Sequence, residues 1–176
     1  MATAVWLLSA AALAVALAFV VRAWMRWRGA RVITCPETRQ PAGVRVDAWH
    51  AALGRLAGGA ELRLEQCSRW PEKRNCGQEC LSQIEAAPDG CLVTSLLSRW
   101  YSDKKCVYCG KPLGEINWHE RRPALLSPAG KTVEWRDLRA EHTPEALAVY
   151  RPVCWNCHIV ETFRQEHPEL VIERPG

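Results

Sequence analysis

Cys106-Val-Tyr-Cys109-Gly110-Lys-Pro-Leu113 and Cys154-Trp-Asn-Cys157-His158 are the stretches on which the reading of this chain turns. Each has two residues between its cysteines, a spacing that lets one tight turn aim two thiolates at a single ion. Two such pairs supply the four ligands of a closed tetrahedral zinc site. Gly110, directly after the second cysteine, suits a knuckle, where the chain needs a backbone angle that glycine adopts cheaply. Four thiolates leave no open position for water, so the set predicts a structural ion rather than a catalytic one.

The first pair resembles the knuckle of the zinc-ribbon and rubredoxin-like families, in which a Cys-x-x-Cys-Gly run leads to an apolar residue, here Leu113. The resemblance covers two short motifs and about a third of the 176 residues. It implies a fold module and a metal, and no activity. Forty-four residues separate the knuckles. Ile116–Glu120 alternates apolar and polar, and Ala124–Leu126 and Thr132–Trp135 flank a Ser127-Pro-Ala-Gly130 turn, the pattern of a hairpin or three short strands. Thr143-Pro-Glu145 opens a short helix to Tyr150, and Ile159–Glu166 reads as a helix stopped before Pro168. A helix after the last ligand pair is also seen in treble-clef fingers, so both variants stay open.

The chain holds nine cysteines, an odd number that full disulfide pairing would not satisfy. Cys35, Cys67, Cys76 and Cys80 form a second possible four-thiolate set, with irregular spacings of thirty-one, eight and three residues. Val44–Val46 and Glu61–Glu65 alternate as strands do. Asp47 is placed to cap a helix from Ala48 to Ala57, stopped by Gly58-Gly59, with Trp49, Leu53, Leu56 and Ala57 on one face. Gly77–Ala87 reads as a helix closed by Pro88-Asp-Gly90, which would put Cys76 and Cys80 on one side of its start. The set suits zinc or an iron–sulfur cluster, although it matches neither common ferredoxin spacing. Arg69, Lys73 and Arg74 lie beside it. Cys91, before the apolar helix Leu92–Tyr101, is the expected spare, a small buried thiol.

Met1–Val21 carries no charged side chain. About 20 apolar helical residues span a bilayer core, and Trp6, Trp24 and Trp27 sit where aromatic interface anchors belong. A cleaved signal would have basic residues before the apolar run and small ones after it. Here arginine and tryptophan follow, which predicts an uncleaved anchor over residues 1–24. The net charge of +4 comes wholly from Arg22, Arg26, Arg28 and Arg31, because the remaining nineteen basic residues match nineteen acidic ones. Basic residues flanking a membrane helix stay in the cytoplasm, so the N-terminus is expected outside and the rest inside. That compartment is reducing, which favours metal ligation over disulfides.

The balanced charge after Arg31 disfavours nucleic acid as a partner. Phosphate loops and the Gly-x-Ser-x-Gly and His-Glu-x-x-His motifs are absent from the sequence. Cys154-Trp-Asn-Cys157-His158 also spells a c-type haem attachment motif. That cytochrome would need the opposite topology. It would also need a second histidine (His50, His119, His142 or His167), because Met1 and Met25 are the only methionines. It would leave Cys106 and Cys109 without partners. The expectation is an α+β protein: a transmembrane helix, a cysteine-containing lobe over 32–101, and a zinc-ribbon-like or treble-clef-like lobe over 102–168. The tryptophans near the cysteines are expected in the core. The function expected is a non-enzymatic, zinc-binding adaptor or assembly factor on the cytoplasmic face, docking a protein partner. An iron–sulfur or rubredoxin-like electron carrier is the alternative, and a cytochrome the third.

Overall fold

The structure, a computed structural model, describes residues 2–56, 59, 61–70, 72–73, 75–118 and 122–170. Ala57, Gly58, Arg74, His119 and Glu120, singled out above, lie outside them. The chain forms two units, Met1–Leu92 and Val93–Gly176. The division falls before the helix that sequence places in the first lobe.

In the first unit α1 (Ala2–Trp27) runs three residues past the expected anchor. Within Val5–Trp27 an 18-residue stretch has a mean hydropathy of 2.2, with 6 % of it buried. The helix is long and apolar enough to cross a membrane, and its sparse burial is unlike that of a core helix. Gly29, at φ +103°, ends the helix. Arg31 then folds back on it. Its guanidinium donates to the carbonyls of Trp27 (2.6 Å), Arg26 (2.8 Å) and Gly29 (3.2 Å), groups that a helix C-terminus leaves without intrahelical partners. Arg31 is fully buried, and burial draws its pKa down. It is therefore a helix cap rather than a fourth free flanking charge.

Strands β1 (Ala30–Thr34), β2 (Pro41–Val46) and β3 (Leu64–Cys67) form an antiparallel sheet in that order, with Thr34 opposite Pro41 and Val44 opposite Cys67. The alternation read at Val44–Val46 holds: Ala42, Val44 and Val46 point into a core with Trp27, Ile33, Leu64 and Ile84. β3 starts later than the alternation at Glu61 suggested. Asp47 caps α2 (Ala48–Leu56) as expected, accepting from the His50 amide at 2.8 Å. Trp49 and Leu53 lie on a face of α2 that is not the buried one, and the side chains of Leu56 and Ala57 lie outside the described residues. Ala48, Ala51 and Ala52 are buried, while Trp49 and Leu53 are 59 % and 55 % exposed. Small side chains let the helix approach its neighbours closely, and that outweighs the size of the two larger ones.

α3 is only Leu81–Ala86. Gln78 sits at φ +57°, a left-handed conformation that an α-helix cannot contain. Cys76 therefore lies in a loop and Cys80 at the N-cap, so the two do not share a helix.

In the second unit α4 (Val93–Tyr101) buries Val93, Leu97 and Tyr101 at four-residue spacing. The Tyr101 hydroxyl donates to the Ala124 carbonyl at 2.7 Å. β4 (Ala124–Leu126), fully buried, is the centre of a second antiparallel sheet between β5 (Thr132–Glu134) and β6 (Arg151–Val153). The hairpin across Ser127–Gly130 matches expectation. Ile116–Trp118 does not form a strand, and β6 is a strand where sequence showed only a connection. α5 (Thr143–Val149) begins with Pro144 in its first turn, where a missing N–H costs nothing. Its Leu147 carbonyl accepts from Trp100 Nε1 at 2.9 Å, and Trp118 packs edge-on against Trp135. α6 (Trp155–Glu166) closes the unit.

Candidate metal centre

The first knuckle is a small hairpin. Cys106 donates its amide to the Lys111 carbonyl at 2.9 Å, and Leu113 donates to Lys104 at 3.0 Å. Gly110 turns the chain at φ +70°, the left-handed angle expected there. The Val107 amide donates to the Pro152 carbonyl at 3.0 Å. That bond ties the knuckle to β6, two residues before Cys154. Cys154 is the N-cap of α6, with φ −75° and ψ 158°. Its carbonyl accepts the helix's first bond, from His158 at 2.9 Å. Cys157 lies in the first helical turn, so a strand end and a helix start present the second pair together.

These placements bring the Sγ atoms of Cys106, Cys109, Cys154 and Cys157 within 4.8 Å of one another. Cys109 and Cys154 are 3.7 Å apart. Zinc–sulfur bonds of about 2.3 Å in a tetrahedron give sulfur–sulfur edges of about 3.8 Å, so the set fits one ion. The sulfurs rest on a core of Ala124, Leu126 and Val153. Cys106 is buried and Cys109 exposed. All nine thiols are free.

The acidities are split within the set. Burial acts upward on Cys106, but amide N–H groups of Cys154, Cys109 and Tyr108 donate to it and bring it down to about 6. Cys154 and Cys157 are pushed up, by burial first. Four like acids in one small space cannot all ionise unaided, and a bound cation reverses that logic by favouring every thiolate.

His158 is buried. Its Nδ1 lies 3.0 Å from Thr132 Oγ1 and 3.4 Å from Thr162 Oγ1. It braces α6 against β5. Its adjacency to Cys157 in sequence gave no sign of Thr132 as partner. Next to Cys154 a groove of about 470 Å³ is lined by Lys111, Leu113, Ile116, Pro123 and Trp155 among others.

In the first unit Cys35 follows β1, Cys67 ends β3 and Cys80 is buried in the core against which Cys35 and Cys67 pack. Two glutamines fasten the Cys76–Ala86 stretch to both outer strands. Gln78 Oε1 accepts from Leu64 N at 2.8 Å, and Gln83 bonds both backbone groups of Thr34. Backbone amides reach two sulfurs, Arg69 N to Cys67 at 3.5 Å and Gln78 N to Cys76 at 3.3 Å. Cys80 is pushed up to about 11, by burial and then by the charges of Cys76, Cys67 and Cys35. These four are nevertheless not drawn together as the other four are. Among the described residues, Cys106, Cys109, Cys154 and Cys157 are the only such group of three or more within 4.8 Å. Arg69 pairs with Glu72 and Lys73 with Glu37. Cys91 packs against the same core, half-buried, its thiol directed to the Ala87 carbonyl at 3.4 Å.

No family model matches the chain, and neither a curated protein nor a solved structure matches it.

Proposed function

We propose that this is a single-pass membrane protein in which α1 anchors a cytoplasmic, non-enzymatic domain that binds zinc and docks a protein partner as an adaptor or assembly factor. The observation that carries this is the four-sulfur set of the second unit. Its spacing suits a tetrahedral ion, and four protein thiolates leave no site for substrate or water. A hairpin knuckle followed by a ligand pair at a helix start supports the treble-clef-like variant over the ribbon-like one. Docking is supported by the groove beside Cys154 and by Ile159, Val160 and Phe163, each about half exposed along α6. Arg22, Arg26 and Arg28 support the cytoplasmic placement.

The exposure of Cys109 favours one rival, a rubredoxin-like iron centre that would pass electrons through that edge. The haem reading draws less support, because Cys154 and Cys157 are grouped with Cys106 and Cys109 and His158 is held by Thr132. At Cys35, Cys67, Cys76 and Cys80 we propose a second, more open site. The amides that reach Cys67 and Cys76, and the burial of Cys80, support it.

The test is metal content and visible absorbance of the full-length chain, purified in detergent without air. A colourless protein holding zinc that Cys109→Ser removes from the second unit is the expected result. Two zinc ions per chain extend it to the first group, and one zinc overturns that extension alone. Bound iron with visible colour replaces the adaptor by an electron carrier. A chain that leaves the membrane on alkaline extraction removes the anchor.

A further inference from the structure

α2 poses a problem that the anchor reading does not by itself resolve. It is short and carries two large apolar side chains, Trp49 and Leu53, that stay more than half exposed in the first unit. They are four residues apart, so they lie one above the other on the helix. A surface Leu alone needs no explanation. A Trp and a Leu side by side, on a helix whose core contacts are made by alanines, do.

Three observations say what lies over them. First, α2 packs on α1 itself. Trp49 meets Trp24 of α1 with ring centroids 5.6 Å apart. Second, the covered positions of α1 form one stripe. Ala16, Val20, Ala23 and Trp24 are half-buried and Trp27 is buried, while Val15, Leu17, Phe19, Val21 and Met25 are exposed. Steps of four, three, one and three residues define one face of a helix. Third, Arg28 stacks on Trp24 with its guanidinium 5.2 Å from the ring, as a basic and an aromatic side chain do where a membrane helix leaves the acyl layer.

We propose that the lipid headgroup layer covers Trp49 and Leu53, so that α2 is an interfacial helix beside the cytoplasmic end of α1. The proposal takes α1 as the anchor described above. A bilayer core is spanned by about 20 helical residues, and α1 with 26 has about a turn and a half to spare. That excess lies at the Arg22–Trp27 end, which carries Trp24, the ring that Trp49 meets. The exposed flank of α2 then continues the lipid-facing surface of α1 rather than ending it. Trp49 joins Trp24 in the aromatic belt, the place an amphipathic ring favours. The consequence for the domain is a fixed tilt. Two helices, one crossing and one lying at the surface, define a plane that a single anchor does not.

The test uses the full-length chain in phospholipid vesicles. A photo-crosslinking side chain replaces Leu53 in one sample, Leu13 of α1 in a second and Lys131 in a third, with products identified by mass. The expected result is lipid adducts at positions 53 and 13 and their loss at 131. Adducts at 13 but not at 53 overturn the interfacial helix and leave the anchor standing. Crosslinks from 53 to a second copy, or to another protein when the experiment is repeated in native membranes, overturn it in favour of a protein partner. No lipid adduct at 13 removes the anchor, and the inference falls with it. A second measurement guards against a perturbing probe: Trp49→Phe is expected to reduce the fluorescence quenched by brominated lipids, and an unchanged quenched fraction counts against the proposal.

Discussion

At the scale of single residues, Asp47 joins the sheet to α2 with one carboxylate. Oδ1 accepts the His50 amide at 2.8 Å, and Oδ2 accepts two bonds from Arg63, at 2.9 and 2.6 Å. Loss of an N-cap costs about 1 kcal/mol. Asp47→Ala should therefore lower the urea midpoint of the first unit by that equivalent. Arg63→Ala should cost less, because the arginine end of the pair is 58 % exposed and screened by solvent. The pH dependence has a definite sign. The His50 amide and then Arg63 hold the Asp47 pKa below its usual value. The stabilisation is thus present above the ordinary carboxylate range, near about 4, and disappears as pH falls through the lower folded value. Asp47→Asn, which can still cap, should remove this acid-side slope. His158 offers a second test. Thr132→Val takes away its 3.0 Å partner, and a buried polar group left short of a bond costs about 1–3 kcal/mol. Thr132→Ser should restore most of the loss, and equal melting temperatures for all three chains would refute the bracing role.

At the scale of elements, the period of α2 was legible and its orientation was not. Trp49 and Leu53 dominate any reading by hydrophobicity, yet a helix that must lie close to its neighbours turns its alanines inward. Ala52→Leu should therefore destabilise by about 1–3 kcal/mol through overpacking. Leu53→Ala should change stability in detergent by no more than about 0.5 kcal/mol. A reversed order would put Leu53, not Ala52, in the core. The knuckles were legible because Cys-x-x-Cys-Gly encodes its own geometry, down to the positive φ of Gly110. β6 was not, since Pro152 argues against a strand until its edge position beside β4 is known. The helix expected from Gly77 failed at Gln78, whose side chain is spent on Leu64, a long-range bond that no local propensity records. The second unit's sulfur site rests on few buried residues, Ala124, Leu126 and Val153 with Cys106. An ion held by the four sulfurs would supply folding energy outright. Chelation at neutral pH should cost α6 its helical circular dichroism, and the chelator needed should fall as pH drops, because protons compete with the ion for the thiolates.

At the scale of the whole molecule, the apolar helix α1 and the core of the first unit overlap in sequence. The hydropathy reading ends the anchor at residue 24, and a natural way to make a soluble protein would be to begin after the last flanking basic or tryptophan residue. Trp27, however, is 3 % exposed and sits in the first unit's core with Ile33, Val44 and Ala48, and Arg31 is fully buried because it caps the turn that Trp27 ends. A chain beginning at Ala30 loses that ring and leaves Arg31 without the carbonyls of Arg26, Trp27 and Gly29. Deleting a buried tryptophan side chain costs about 3–5 kcal/mol, a large share of the about 5–15 kcal/mol that separates folded from unfolded domains. A chain beginning at Arg22 keeps both and discards most of the exposed apolar surface of α1. The first truncation should therefore express as an unstable or aggregated protein with a low, broad melting transition. The second should be soluble with mild detergent and melt cooperatively. Trp27→Ala in the full-length chain isolates the same contribution: it should lower the melting temperature of the first unit while the protein still fractionates with membranes, so that a loss of anchoring and a loss of core are read separately. If both truncations melt alike, Trp27 belongs to the anchor alone and the boundary returns to where hydropathy placed it.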